Sequence, residues 1–199
     1  MKRILIFVAA LAGVACSTLS TSTEYITRGD GYLKDGNQQK ALAAYNRAIA
    51  LNPANLEAYA ARGTAHFFAG NFALAEADFK YVLTKNPHYA DVYTALGSTF
   101  AAQGDYQSAL NMLNQAIALK PKRPENFVSR AGVYFMQGRY VEALADYSSV
   151  LQYYPAAEVY QARGAVYQRM GENLLAERDF KAANNPLIPA TLQVYSQLK

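Results

Sequence analysis

Apolar, small and polar residues recur along this chain of 199 residues with a period of 34. Four prolines mark that period, and each lies 34 residues after the one before: Pro53, Pro87, Pro121 and Pro155. Dividing the chain on this period gives five repeats, at residues 22–55, 56–89, 90–123, 124–156 and 157–189. Such a period indicates an array of supersecondary units, in which each unit buries its apolar face against its neighbours.

The first half of every repeat has a helical pattern. Its fourth residue is aromatic, at Tyr25, Tyr59, Tyr93, Phe127 and Tyr160, and its eighth is small, at Gly29, Gly63, Gly97, Ala131 and Gly164. Residues three or four apart share one face of a helix, so positions 4, 8 and 11 predict an apolar stripe. Position 15 is always glycine, at Gly36, Gly70, Gly104, Gly138 and Gly171. Glycine adopts the left-handed conformation that commonly ends a helix.

The second half of every repeat predicts another helix. Position 20 is always alanine, at Ala41, Ala75, Ala109, Ala143 and Ala176, and position 24 is large and apolar, at Tyr45, Phe79, Leu113, Tyr147 and Phe180. Small residues at positions 8 and 20 let the two helices approach, while the rings fill the space around them. The chain is therefore predicted to be all-α, built from antiparallel helix pairs.

This register resembles the tetratricopeptide-repeat (TPR) family, whose pattern has an aromatic at position 4, small residues at 8 and 20, Tyr at 11, aromatics near 17 and 24, Ala at 27 and Pro at 32. The resemblance covers residues 22–185 and implies a right-handed superhelical solenoid of about five helix-turn-helix repeats. It also implies a scaffold that binds other proteins or peptides. Local departures from the family pattern are Gln38 and Asn173 at position 17, His66 at 11 and Leu113 at 24.

Beyond the fifth repeat, Pro186 and Pro189 interrupt the helical pattern. Residues 190–199 then predict a short capping helix, with Leu192, Tyr195 and Leu198 against the last repeat. Solenoids need such a cap for solubility.

The N-terminus has the layout of a secretory signal. A basic start at Met1–Arg3 precedes an apolar run from Ile4 to Val14, which is too short for a spanning helix of about 20 residues. Residues 1–15 are therefore predicted to be a signal peptide, and residues 16–21 a linker to the first repeat.

Cys16 follows a stretch of small residues and resembles the lipid-attachment cysteine of bacterial lipoproteins. Gly13 departs from that pattern, which prefers Leu, Val or Ile there, so ordinary cleavage and an uncleaved membrane tether stay open as alternatives. Lipidation implies firm membrane attachment. Ser17 by resemblance favours the outer membrane, facing the periplasm, and a soluble periplasmic protein is the alternative.

Charge and composition argue against several functions. Lys2 and Arg3 contribute two of the four net positive charges, and the other basic residues are scattered, so no nucleic-acid surface is predicted. One cysteine and two histidines provide neither a disulfide nor a Cys/His metal site. Neither histidine lies in an arrangement suited to acid–base or nucleophilic catalysis. We therefore predict no enzyme, no cofactor and no metal.

Arginine at position 7 and aspartate at position 23 occur together. Both are present in repeats 2, 4 and 5, which predicts three structural ion pairs between helices: Arg62–Asp78, Arg130–Asp146 and Arg163–Asp179. Repeat 3 replaces both, with Leu96 and Met112. In repeat 1, Arg28 is matched with Ala44 and lacks this partner.

In the family, ligands lie on the concave surface formed by the first helices. Mapping its positions onto this chain gives a partner groove at Thr64, Phe67, Phe68, Thr94, Ser98, Ala101, Val128, Phe135 and Met136. Acidic residues recur at position 2 and predict a negative rim: Glu57, Asp91, Glu125 and Glu158. Apolar side chains beside small ones suit a helix or extended segment.

Packing between helices is the alternative role for these apolar residues, and it is stronger for Phe67 and Phe135 than for Phe68 and Met136. His66 is expected in the core, and Tyr153 and Tyr154 are expected to pack at a helix end. The leading hypothesis is an exported, lipid-anchored scaffold of the cell envelope. Self-association, giving a homo-oligomer, is the alternative, and an enzyme is the third hypothesis.

Overall fold

The computed structural model describes residues 22–192, so the predicted signal peptide and linker lie outside the described residues. Residues 22–34 form the first helix, α1. The other helices follow at α2 (Gln38–Leu51), α3 (Leu56–Phe68), α4 (Phe72–Lys85), α5 (Ala90–Ala102), α6 (Tyr106–Leu119), α7 (Pro124–Met136), α8 (Tyr140–Tyr153), α9 (Ala157–Arg169) and α10 (Asn173–Ala183). No residue from 22 to 192 belongs to a β-strand. The predicted all-helical fold is confirmed.

Two compact units divide the chain between Thr99 and Phe100. In the first, Tyr45 is fully buried and packs with the small residues Ala41, Ala48, Ala58 and Ala65. In the second, the larger core combines α7, α8 and α9 and is built around Ala131, Ala143, Tyr147, Val150 and Val166. Burial raises the pKa of Tyr147 to about 12, with a further contribution from the carboxylate of Asp146.

The turns within repeats follow the glycine pattern. Gly36, Gly70, Gly104, Gly138 and Gly171 all have positive φ, between 73° and 81°. Residues with a Cβ rarely adopt this conformation, so glycine at position 15 ends the first helix and turns the chain into the second. Each period proline lies two residues after a helix end, as Pro87 does after Lys85.

Close contact between the paired helices depends on the small residue at position 8. The ring of Phe79 lies over Gly63, and a Cβ added there would come within 2.8 Å of that ring. Gly164 stands in the same relation to Phe180, at 2.7 Å. The large residue at position 24 therefore requires glycine opposite it in these repeats.

After α10 the chain folds back onto the start of α9. The carbonyls of Pro189 and Ala190 accept hydrogen bonds from the N–H groups of Ala157 and Glu158, at 2.8 and 3.1 Å. The Glu158 carboxylate in turn accepts the N–H of Leu192 at 2.7 Å, and Leu192 is buried. Residues 190–192 form a bend and a turn, and the remainder of the predicted capping helix lies outside the described residues.

Candidate binding faces on the first helices

The arginines at position 7 bind the aspartates at position 23 in two-point ion pairs. Arg62 donates from Nε to Asp78 Oδ2 at 2.8 Å and from Nη2 to Oδ1 at 2.6 Å. The same pair of bonds joins Arg130 to Asp146 and Arg163 to Asp179, at 2.7 to 2.8 Å. All three aspartates are buried, so the arginine compensates a charge that water does not reach.

Each of these arginines also reaches the preceding repeat. Arg62 Nη1 donates to Asn46 and Arg130 Nη1 donates to Asn114, both at 2.8 Å, while Arg163 Nη1 donates to the Ser148 hydroxyl at 3.0 Å. These acceptors occupy position 25 of the repeat before. One guanidinium thus joins three helices, and we call this arrangement the arginine clasp.

The clasp was only half predicted, because the sequence argument did not identify its acceptor at position 25. The missing signal is a correlation between neighbouring repeats. Position 25 is Asn or Ser where the next repeat has Arg at position 7, and it is Lys80 where the next repeat has Leu96. Arg28 in repeat 1 lies 5.3 Å from the Tyr25 ring and has no carboxylate partner in residues 22–192.

In the first unit, the predicted groove residues divide into packed and exposed positions. Phe67 is half-buried and contacts the rings of Phe68 and Phe72, with centroids 5.5 and 5.7 Å apart. Phe68 is 61% exposed. Thr64, Thr94 and Ser98 are half-buried. Position 12 therefore serves packing, while position 13 presents a ring to solvent.

The second unit repeats this division. Phe135 is half-buried and contacts the ring of Tyr140 at 5.9 Å, whereas Met136 is 63% exposed. Val128 and Phe135 both pack against the larger core, and Ala101 packs against the cluster around Leu113. Met136 is thus the member of the predicted groove in this unit that stands free of the core.

Models of two known protein families match parts of the chain. A model described as Tetratricopeptide repeat matches residues 66–127 and 100–166, and a second, described as TPR repeat, matches residues 29–70. The first model alone spans more than half of the chain. The chain belongs to the tetratricopeptide-repeat family. TPR domains bind other proteins or peptides and are in general non-catalytic scaffolds.

Solved TPR structures resemble this chain over most of its length. A tetratricopeptide repeat protein from Parabacteroides merdae is 28% identical, with a TM-score of 0.72, over 89% of this chain and 69% of that one. MamA is 25% identical, with a TM-score of 0.65, over 78% and 91%. A thermophilic TPR protein of Thermus thermophilus shares the fold at 22% identity, with a TM-score of 0.75, over 87% and 96%. No curated protein sequence matches the chain.

The acidic residues at TPR position 2 differ between the units. In the first unit Glu57 and Asp91 line a cavity of about 210 Å³ together with Asp30 and Thr64. Burial and these two rim carboxylates raise the pKa of Tyr89, which also lines the cavity. In the second unit Glu125 lies 3.4 Å from Arg123, and Glu158 accepts the N–H of Leu192. The rim carboxylates therefore line a cavity in the first unit, whereas those of the second unit contact Arg123 and the N–H of Leu192.

The three residues that were expected to pack, His66, Tyr153 and Tyr154, differ in burial. His66 is half-buried, and its Nδ1 has no hydrogen-bond partner among the described residues. Burial lowers the pKa of His66, and nearby Arg62 lowers it further while Asp78 opposes that effect. Tyr154 packs against the larger core, but Tyr153 is 68% exposed. The expectation that both tyrosines pack at the helix end was wrong for Tyr153, because its side chain falls on the solvent side of α8.

Within residues 22–192, no helix is long and apolar enough to cross a membrane. No group of three acidic, histidine or cysteine side chains in that range could hold a metal ion. Cys16 lies outside the described residues, so its lipid attachment stays a prediction.

Proposed function

We propose that this TPR protein is an adaptor of the bacterial cell envelope, anchored by a lipid on Cys16, which holds partner proteins on the faces of its first helices. One observation carries the binding role: position 13 presents a large apolar side chain to solvent in two repeats, as Phe68 and as Met136. Their neighbours at position 12 are packed. Apolar side chains exposed at a repeated position favour a partner that covers them.

The cavity on the first helices of the first unit suits a partner segment with apolar and basic residues. Small side chains are among those that line this cavity, at Ala60, Ala61 and Ala95. Carboxylates of Glu57 and Asp91 stand beside it. An amphipathic helix with one apolar and one basic face matches both features, because apolar burial provides affinity and opposite charge orients the segment.

Crosslinking followed by mass spectrometry in the native envelope tests this role. The test variant carries Phe68→Glu and Met136→Glu, which place charge on both exposed positions. The control carries Val141→Glu and Leu174→Glu, which are 72% and 83% exposed on second helices. We expect the test variant to lose a partner that wild type and control both retain. An identical partner set in all three proteins would contradict the proposal.

The anchoring step has a separate test. Cys16→Ser removes the thiol that a lipid would modify, so we expect the protein to leave the membrane fraction. If the Cys16→Ser variant stays in the membrane fraction, the uncleaved tether is favoured. If the wild-type protein is itself found in the soluble fraction, the soluble periplasmic alternative is favoured.

Self-association by stacking repeats end to end is disfavoured by the arginine clasp. A copy stacked before repeat 1 would have to offer Arg28 an acceptor from position 25 of its last repeat. That residue is Lys181, so two positive charges would meet. We therefore assign the exposed position 13 residues to a different protein, and crosslinks joining two copies through Phe68 or Met136 would contradict this assignment.

A further inference from the structure

Repeats 2 and 4 differ at position 26, on the second helix. In repeat 2 this residue is Tyr81, whose ring lies on the position 4 ring of Tyr59 with centroids 4.4 Å apart. Lys85 Nζ lies 5.8 Å from the Tyr81 centroid. A ring that contacts both an aromatic ring and a cation is in a favourable arrangement, because both neighbours interact with its π-electrons.

In repeat 4 the same position is Ser149, and a cavity of about 320 Å³ is open there. Phe127, at position 4, lines this cavity, together with Pro121, Pro124 and the exposed Tyr153. The serine side chain is too small to cover Phe127 as Tyr81 covers Tyr59. The space that the tyrosine ring fills in repeat 2 is therefore accessible to a ligand in repeat 4.

A positive charge lies at the same cavity. Lys122 is exposed, lines the opening, and has no ion pair among residues 22–192. Lys122 precedes repeat 4, and the corresponding residue before repeat 2 is Ala54, so the cation is supplied there by Lys85 instead. An anionic group beside the ligand's ring would reach Lys122 without displacing an internal partner.

We propose that this cavity is a second docking site, which receives an aromatic side chain next to a carboxylate from a partner protein. The occupant's ring takes the place on Phe127 that Tyr81 takes on Tyr59, and its carboxylate pairs with Lys122. The site is on different residues from the Phe68 and Met136 faces. Repeat 5 also has a small residue at position 26, Ala182, but the cavity there is lined by three charged side chains, those of Arg163, Arg178 and Asp179.

The minimal probe is N-acetyl-tyrosine, which carries one ring and one carboxylate. Nuclear magnetic resonance titration of the ¹⁵N-labelled full-length protein should shift the backbone amides of residues 127 and 149–154. N-acetyl-tyrosinamide, which lacks the charge, should bind about fivefold more weakly. N-acetyl-aspartate, which lacks the ring, should give no shifts at these amides.

Two variants provide the decisive comparison. Ser149→Tyr copies repeat 2 into repeat 4 and should abolish the shifts at residues 127 and 149–154 while helicity is unchanged. Tyr81→Ser uncovers Tyr59 and should leave those shifts intact. If wild type gives no shifts there, or if Ser149→Tyr binds the probe as wild type does, the site is wrong. Equal binding of the acid and the amide would overturn the role of Lys122.

Discussion

Repeats 2 and 4 are alike in the interactions that hold their helices together and different in the side chains that they expose. Both hold their helices with an arginine clasp, at Arg62 and Arg130, that includes an asparagine of the preceding repeat. On the surface, repeat 2 has a phenylalanine and repeat 4 a methionine at position 13, and a cavity lies beside Ser149 of repeat 4 where repeat 2 has the ring of Tyr81. The inner positions make the fold, so the outer positions are free to determine what each repeat binds.

The largest expected effect comes from breaking the clasp of repeat 4. Asp146→Leu leaves the half-buried Arg130 without its carboxylate, and the free energy of unfolding should fall by about 3 kcal/mol. Urea unfolding followed by circular dichroism measures this change.

The chain supplies a matched control for that variant in repeat 3, which uses Leu96 and Met112 at these positions. The double variant Arg130→Leu, Asp146→Met copies that apolar pair and should recover most of the lost stability, because no unpaired charge remains. A double variant as unstable as Asp146→Leu would show that the clasp contributes more than charge compensation.

Replacing neighbouring residues at positions 12 and 13 should separate packing from binding. Phe135→Ala removes a ring that packs against the larger core and should lower the free energy of unfolding by about 2 kcal/mol. Met136→Ala should change it by less than about 0.5 kcal/mol, because its side chain is exposed. Equal losses in the same unfolding assay would remove the distinction on which the binding face depends.

Much of the packing inside the repeats could be predicted from the sequence, because the same pattern of residues occurs in each of the five helix pairs. Positions 4, 8, 15, 20 and 24 follow from helical geometry and from glycine's freedom at positive φ. The acceptor at position 25 was missed because it acts on the next repeat, so comparison at equal positions does not reveal it.

The outer positions were less predictable. Phe67 and Phe68 are identical and adjacent, and their difference in exposure depends on the rotation of α3 against α4. The cavity beside Phe127 depends on a serine that carries no signal by itself, and Tyr153 was expected to pack. The exposure of a side chain and the presence of a cavity depend on residues from several helices, so they can be assigned only when the three-dimensional neighbours of each side chain are known.

Replacing a turn glycine, which repeats 2 and 4 both have at position 15, should lower the free energy of unfolding by a smaller amount. Gly70→Ala places a Cβ on a residue with φ of 75° and should cost about 1 kcal/mol of unfolding free energy. Gly31→Ala is the control, since Gly31 is helical and a Cβ added there would meet no atom within 4 Å; this variant should gain about 0.5 kcal/mol. A loss in both variants would argue against the left-handed turn as the cause.

The smallest effect distinguishes repeat 2 from repeat 4 at position 11, where they have His66 and Tyr134. Burial holds the pKa of His66 below its usual value of 6.5, so the unfolded chain binds the proton more tightly than the folded one. Stability contributed by neutral His66 is therefore lost as pH falls below about 6.5. His66→Tyr should flatten this part of the pH dependence of thermal unfolding, and an unchanged profile would assign it to other groups.

One measurement tests the separation of inner and outer positions most directly. Unfolding free energy and native-envelope crosslinking are determined side by side for wild type and for the Phe68→Glu, Met136→Glu variant. We expect the free energy of unfolding of this variant to stay within about 0.5 kcal/mol of wild type while a partner protein is lost. Loss of stability by several times that amount, or an unchanged set of partners, would contradict it.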